Sequence, residues 1–147
     1  MCGAHATVRG VVGQLTLGKQ PVVLDLEAGL EHLSRGTAKQ VDTLMLVVEP
    51  YFKSLETAAH AKALAEELGI PRVVAVANKV RGPHDEAAIR EFCDRRGLAL
   101  IGLVSYDDNV AEADRLGRSP IDHDAASPAV VEIASLEKVL RPEAQLG

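Results

Sequence analysis

Residues 72–80 read RVVAVANKV, an apolar run that follows Pro71 and ends in Asn-Lys. Uninterrupted runs of valine and alanine are typical of strands buried on both faces of a parallel sheet. Before this run, LETAAHAKALAEELG at 55–69 places apolar residues at helical spacing and ends in glycine. After it, HDEAAIREFCDRR at 84–96 begins with acidic residues and ends with arginines, as the helix dipole favours. The order helix, strand, helix predicts an α/β fold.

The rest of the chain continues this alternation of apolar runs and helical patterns. Strands are predicted at 22–27, 43–48, 72–80 and 98–106, and further helices at 5–15, 109–116 and 127–140, with an irregular crossover at 30–40. Ser54 is predicted to cap the helix at 55–69. Short turns between strands and helices indicate right-handed crossovers in a parallel sheet. We therefore predict one partial domain over 1–147, with helices on both faces of a parallel sheet.

The composition is that of a globular protein, with 47% hydrophobic and 25% charged residues. The net charge of −5 argues against a nucleic-acid partner, because a phosphate backbone requires a basic surface. No apolar run reaches the roughly 18–20 residues of a membrane span, and the N-terminus lacks the pattern of a signal peptide. These features predict a cytoplasmic protein, in which Cys93 is a buried hydrophobic residue rather than half of a disulfide.

Polar residues lie at the carboxyl ends of the predicted strands, at the edge where open parallel sheets bind ligands. Asp25 could hold a magnesium-bound water, and Gly29 would let a backbone N–H approach a terminal phosphate. The amide of Asn78 could read the edge of a purine, with the stem of Lys79 along the base, and the loop at 105–109 could line it. Taken alone, each pattern is better explained by structure: a polar strand end, a turn glycine or an Asx turn that caps a helix.

The order of these patterns resembles the MinD/ParA/NifH group of P-loop ATPases. The chain reads strand-D-x-E-A-G-L-E-H, strand-x-x-E-P, strand-A-N-K and strand-x-Y-D-x-x-V in that sequence. Within the group, DLEAGLEHL at 25–33 and RGT at 35–37 are similar to the CooC-type ATPases, which assist nickel insertion into carbon monoxide dehydrogenase. The resemblance extends from about Cys2 to Leu140. It implies a P-loop NTPase-like fold of the MinD/NifH type that binds ATP and Mg²⁺.

The resemblance also implies roles for individual residues. Asp25 matches the catalytic acidic residue that positions Mg²⁺ and its waters, and Gly29 matches the switch glycine that faces the γ-phosphate. Asn78 matches the asparagine that recognises the base, with Lys79 beside it. The loop beside the base is matched by three residues: Ser105, Tyr106 and Asp107. Ser105 departs from the family, which often has proline at that place.

A metal site and partners are implied as well. The family's metal motif is Cys-x-Cys, shared across a homodimer; Cys2 matches the second cysteine, and the first would lie before Met1. One thiolate per subunit is a poor ligand set for a soft metal such as nickel or zinc. The implied partners are a second copy of the chain and carbon monoxide dehydrogenase or a related metalloenzyme.

The family's phosphate-binding loop, which is rich in glycine and carries two lysines, has no match in this sequence. Such a loop cradles phosphates with backbone N–H groups and neutralises them with lysine. LGKQ at 17–20 is no substitute, because it holds one glycine and no serine or threonine follows it. We expect an N-terminally truncated fold that binds ATP weakly alone. In the family a central strand lies between those that match 22–27 and 43–48, so without it these two strands either pair directly or leave a gap with two unpaired edges.

Two other interpretations stay open at this stage. The chain could be a non-catalytic fragment or pseudo-ATPase that acts only by binding a protein. A flavodoxin-like or response-regulator-like domain is the weaker alternative, because it requires an acidic cluster at the end of the first strand, which the sequence lacks.

Overall fold

The computed structural model describes residues 22–26 and 41–140. Within these residues three strands form one sheet in the order β1–β2–β3, and β2 runs parallel to β3. The strands are β1 (Thr43–Val48), β2 (Arg72–Val80) and β3 (Ala99–Ser105). The helices are α1 (Phe52–Glu67), α2 (Pro83–Arg96), α3 (Asp108–Arg115), α4 (Pro120–His123) and α5 (Pro128–Leu140).

Most of the predicted elements are confirmed, and with them the α/β class with a parallel sheet. β1 and β2 have the predicted bounds, and β3 is one residue shorter at each end. α5 begins at Pro128, directly after Ser127, as predicted. α2 ends at Arg96, and the left-handed φ of 58° at the following Gly97 lets the N–H of Leu98 turn back to the carbonyl of Cys93 at 2.9 Å. The one-turn helix α4 was not predicted.

The strand predicted at 22–27 is wrong over the residues that the structure describes. Residues 22–26 are irregular and form no bridge, and the side chain of Val23 is 89% exposed. A strand needs a neighbour to receive its N–H and C=O groups, and an apolar run does not supply that neighbour. The helix predicted at 5–15 and the crossover at 30–40 lie outside the described residues.

The cap predicted for α1 is also wrong. The helix begins at Phe52, so Ser54 lies within the first turn rather than before it. Its hydroxyl accepts the backbone N–H of Glu49 at 2.9 Å. Ser54 therefore ties the end of β1 to the first turn of α1.

The chain divides into two compact units, each with its own apolar cluster. Among the described residues, the first unit comprises 22–26, 41–44 and 60–73, and the second comprises 45–59 and 74–140. The cluster of the first unit consists of Ala65, Ile70, Val41, Leu44, Leu64, Leu68 and Val73. The cluster of the second unit consists of Val76, Val104, Ala129, Ile101, Val110 and Leu136. In the second unit, α5 thus packs on β3.

The prediction of a fully buried strand at 43–48 holds for one face only. Successive side chains of a strand point to opposite faces. Val48 is 1% exposed, whereas Met45 and Val47 are 38% and 56% exposed. The buried position predicted for Cys93, in α2, is confirmed at 1% exposure.

Candidate functional site

The end of β2 carries a β-bulge that changes the register of its pairing with β3. Two residue pairs define the change of register: Ala77 with Leu103, and Val80 with Ser105. β2 therefore advances three residues where β3 advances two. Within this step Lys79 has a φ of 57°, in the left-handed region that is unfavourable for a residue with a Cβ. Bulges redirect the side chains beside them, and here the half-buried Asn78 is the neighbour.

Lys79 forms an ion pair with Glu49, the residue that follows β1. The Nζ of Lys79 lies 2.7 Å from Oε1 of Glu49. The hydrogen bond that Lys79 donates to Glu49, and then the negative charge of Glu49, raise the pKa of Lys79 above its ordinary value. The two side chains are 53% and 28% exposed, so water screens the pair and it adds little to the free energy of folding. Its structural effect is to fasten the end of β1 to the bulge of β2.

Tyr106, which follows β3, continues the contact with β2. Its backbone N–H donates to the carbonyl of Val80 at 2.9 Å. The guanidinium carbon of Arg81 lies 3.6 Å from the centroid of the Tyr106 ring, in cation–π geometry. The two strand ends therefore present a flat, polarised surface, of a kind on which a planar ligand can stack.

Ser105, the last residue of β3, is held by Glu132 of α5. One carboxylate oxygen accepts the backbone N–H of Ser105 at 2.7 Å, and the other accepts its hydroxyl at 2.9 Å. The hydroxyl proton is thus committed to Glu132. Ser105 therefore fixes the position of the loop, and it has no hydroxyl proton left to donate to a ligand.

Asp107 caps α3 and joins it to α5. One carboxylate oxygen accepts the backbone N–H of Asn109 at 2.9 Å, the Asx turn predicted there, and the other accepts that of Ala129 at 3.2 Å. The N–H of Ala129, and then that of Asn109, lower the pKa of Asp107 below its ordinary value. Asp107 therefore shapes the loop through its carboxylate.

A groove of about 400 Å³ lies beside these strand ends. It is lined by Val80, Arg81, Gly82, Pro83, Glu86, Ser105 and Tyr106. Glu86 is paired with Arg90 at 2.7 Å, so its charge is partly compensated. The lining mixes apolar residues with polar and charged ones, so the groove can offer polar groups to the edge of a flat heterocycle.

The structure brings five of the predicted residues together at the adjacent ends of β2 and β3: Asn78, Lys79, Ser105, Tyr106 and Asp107. Asp25 belongs to the other compact unit and lies exposed in the irregular segment 22–26, not at the tip of a strand. Gly29 and Cys2 lie outside the described residues.

Two features are absent from residues 22–26 and 41–140: a cluster of metal ligands and a helix that could span a membrane. No group of three or more His, Cys, Asp or Glu side chains there could hold a metal ion. The donor chemistry of Asp25 still fits Mg²⁺, because that ion often takes one protein carboxylate and completes its shell with water and phosphate oxygens. No helix among the described residues is long and apolar enough to cross a bilayer.

Sequence patterns miss two side chains that shape this site, Arg81 and Glu132. They place Glu49 at a strand end where chemistry is expected but assign it no role. Glu49 and Lys79 are 30 residues apart, and Glu132 is 27 residues from Ser105. Contacts of this range depend on strand order and helix docking. The one available signal was the position of Glu49, directly after a strand.

Comparison with known proteins identifies similar sequences. The carbon monoxide dehydrogenase accessory protein CooC of Rhodospirillum rubrum is 40% identical over 123 residues, which cover 83% of this chain and 46% of CooC. An uncharacterized ATP-binding protein of Methanocaldococcus jannaschii is 38% identical over 133 residues, covering 90% of this chain and 51% of that protein. The chain thus spans about half the length of the curated relatives that it matches. No family model matches it.

Solved structures with the same fold are also found. A ParA family ATPase from Chlorobium tepidum superposes with a TM-score of 0.78 over 93% of this chain and 57% of its own, at 18% identity. The MinD cell division protein of Aquifex aeolicus gives a TM-score of 0.72 over 94% of this chain and 62% of its own, at 19% identity. At these identities the likeness establishes the fold.

Proposed function

Because the chain belongs to the CooC and MinD/ParA group of ATPases, we propose that it forms the base-binding side of an ATP site in a protein of that group. The observation that carries the proposal is the junction of β2 and β3. There the Val80–Tyr106 hydrogen bond and the Arg81–Tyr106 stack border the groove beside the bulge that carries Asn78.

In this proposal the base lies against the ends of the two strands. Asn78 offers a paired donor and acceptor to the purine edge, and the stem of Lys79 lies along the base. Tyr106 and Arg81 supply the flat surface, while Ser105 and Asp107 hold the loop through α5 and α3. The side chains of Ser105 and Asp107 form their hydrogen bonds with other residues of the protein, which supports a role in holding the loop rather than in contacting the base.

The phosphate side of the site is proposed from the resemblance alone. Asp25 would position Mg²⁺ and its waters, and Gly29 would face the γ-phosphate. Nucleotide hydrolysis would be coupled to dimerisation. The client would be carbon monoxide dehydrogenase or a related metalloenzyme in the cytoplasm, and the protein would assist the insertion of nickel into it. We include no nickel or zinc site, because Cys2 alone would offer one thiolate per subunit.

A second candidate function is that of a non-catalytic pseudo-ATPase that acts by binding a protein. In this candidate the 147 residues act without a glycine-rich loop with two lysines, which their sequence does not contain. The two candidates differ in whether the chain discriminates between nucleobases.

The test is a competition assay in which ATP and GTP displace a fluorescent, ribose-labelled ATP analogue from the chain. We expect ATP to compete better than GTP, and Asn78→Ala to weaken ATP binding about tenfold, the effect of losing one or two hydrogen bonds. Asn109→Ala is the matched control, because its amide donates to Asp124 at 3.2 Å. Equal competition by ATP and GTP would favour the pseudo-ATPase.

A further inference from the structure

Lys79 occupies an unusual backbone conformation for its residue type. It is the one residue other than glycine, among those described, that has a positive φ. This conformation is sterically unfavourable for lysine. Residues with such backbone angles occur where contacts with the surrounding structure hold them in place. The contact that constrains the Lys79 side chain is its ion pair with Glu49.

Glu49 is itself well placed to act as an anchor. It follows Val48, which is 1% exposed, and its backbone N–H is held by the hydroxyl of Ser54 in α1. The carboxylate therefore projects from a fixed backbone. The Lys79 ammonium, at the end of a flexible side chain, therefore binds a carboxylate whose position is fixed.

The ion pair is poorly suited to stabilising the fold. Both side chains are partly exposed, and pairs of this kind contribute little to the free energy of folding. The position of the ion pair points to a role in shaping the bulge instead. The bulge comprises the residues between Ala77 and Val80, which both pair with β3, and Lys79 is the second of them. Asn78 lies inside that bulge, so the direction of its amide depends on the backbone of Lys79.

We propose that Glu49 is a positioning residue that acts through Lys79 to orient the amide of Asn78, and so sets the preference for adenine over guanine. This inference rests on the proposed function. Glu49 does not contact the base itself in this arrangement. It holds Lys79 in the left-handed conformation, which fixes the bulge and presents the donor and acceptor of Asn78 as a pair.

The test measures the ratio of ATP to GTP affinity in the same competition assay. Glu49→Gln keeps the shape of the side chain and removes its charge, and we expect about fivefold weaker ATP binding with a reduced ATP/GTP ratio. Lys79→Ala should have the same effect, because alanine also disfavours a positive φ. Lys79→Gly should bind both nucleotides more weakly than the parent chain, because the stem along the base is lost. It should nevertheless retain the ATP/GTP ratio within about twofold, since glycine adopts this conformation without a side-chain anchor.

Glu56→Gln is the matched control. Glu56 and Arg96 form another ion pair between separate elements, at 3.2 Å and with 34% and 49% exposure, in the same compact unit. Its loss should leave both affinities unchanged. Melting temperatures of all variants should stay close to that of the parent chain. A change in nucleotide affinity can then be attributed to the orientation of the Asn78 amide rather than to unfolding.

The outcomes separate this inference from the function on which it rests. If the parent chain does not prefer ATP to GTP, the proposed function fails. If it does and Asn78→Ala weakens ATP binding, but Glu49→Gln changes neither the affinity nor the ratio, the positioning role of Glu49 is overturned. A loss of the ratio in Lys79→Gly equal to that in Lys79→Ala would also overturn it, because the side chain would then act independently of the backbone.

Discussion

The backbone N–H of Ala129 donates to the carboxylate of Asp107, 22 residues earlier, at 3.2 Å. The other oxygen of Asp107 receives the N–H of Asn109 at the start of α3. One side chain thereby links the starts of two helices to the end of β3. Because this carboxylate is favoured in its charged form, the linkage depends on pH.

The first prediction concerns acid stability. The two N–H groups lower the folded-state pKa of Asp107 below the ordinary value of 3.8. Protonation is therefore harder in the folded chain, and the stabilising effect is fully present above about pH 4 and lost as the pH falls through the folded-state pKa. Melting temperatures at a series of pH values should show Asp107→Asn less stable than the parent chain at pH 7, with the difference shrinking in acid.

Asp107→Ala should be less stable than Asp107→Asn at pH 7, since asparagine still caps a helix and alanine does not. A difference between the parent chain and Asp107→Asn that stays constant from pH 7 down to pH 2 would contradict the role assigned to this carboxylate.

The second prediction concerns the contact between Gly102 of β3 and Leu136 of α5. A Cβ built on Gly102 would collide with the Cδ2 atom of Leu136. Gly102→Ala should therefore overpack this contact and cost about 1–3 kcal/mol of unfolding free energy, measured by urea denaturation. Gly82→Ala is the control, because nothing lies within 4 Å of a Cβ there.

A double variant distinguishes overpacking from a backbone effect. Combining Gly102→Ala with Leu136→Ala should cost less than the sum of the two single changes, because the shortened side chain makes room for the new methyl group. Strict additivity would mean that Leu136 does not cover Gly102 in solution.

The third prediction concerns the thiol of Cys93. Burial, and then the charge of Asp94, raise its pKa above the ordinary value, and the thiolate is the reactive form. The Cys2→Ser variant leaves Cys93 as the sole cysteine. At pH 8, a thiol reagent should modify Cys93 about 100-fold more slowly in buffer than in urea, because in buffer the reaction requires opening of the fold. Similar rates in the two solvents would place Cys93 at the surface.

The fourth prediction concerns turnover. The sequence contains no glycine-rich loop with two lysines, the element that binds and neutralises phosphates in this group. The purified chain should therefore release phosphate from ATP no faster than buffer, in a coupled assay with Mg²⁺. Magnesium-dependent turnover that disappears in Asp25→Ala would contradict this expectation and place the complete phosphate site in these residues.

The sequence predicted the core of the fold because β2 and its flanking helices carry local signals. The apolar run at 72–80 and the glycines after α1 and α2 each determine structure within a few residues. The run at 22–27 has the same apolar character, yet residues 22–26 are irregular. An apolar pattern shows that a segment can form a strand, and the presence of a partner decides whether it does.

The site was predictable in part for the same reason. Asn78 and Tyr106 are predicted because they lie at the carboxyl ends of strands, and parallel strands bring those ends to one edge. The Glu49–Lys79 pair was not predictable, because it requires β1 beside β2 and a bulge at Lys79, neither of which leaves a local pattern. The hold of Glu132 on Ser105 likewise depends on how α5 docks on β3.

The most direct test of the central claim is to locate where a nucleobase contacts the chain. Adenosine, which has no phosphates, is titrated into the ¹⁵N-labelled chain while backbone amide and Asn78 side-chain signals are followed by NMR. Our account predicts shifts that saturate and cluster at 78–82 and 105–107, and that guanosine reproduces only weakly. Shifts located elsewhere, or the absence of any shift at millimolar adenosine, would contradict the assignment of this edge as a base site.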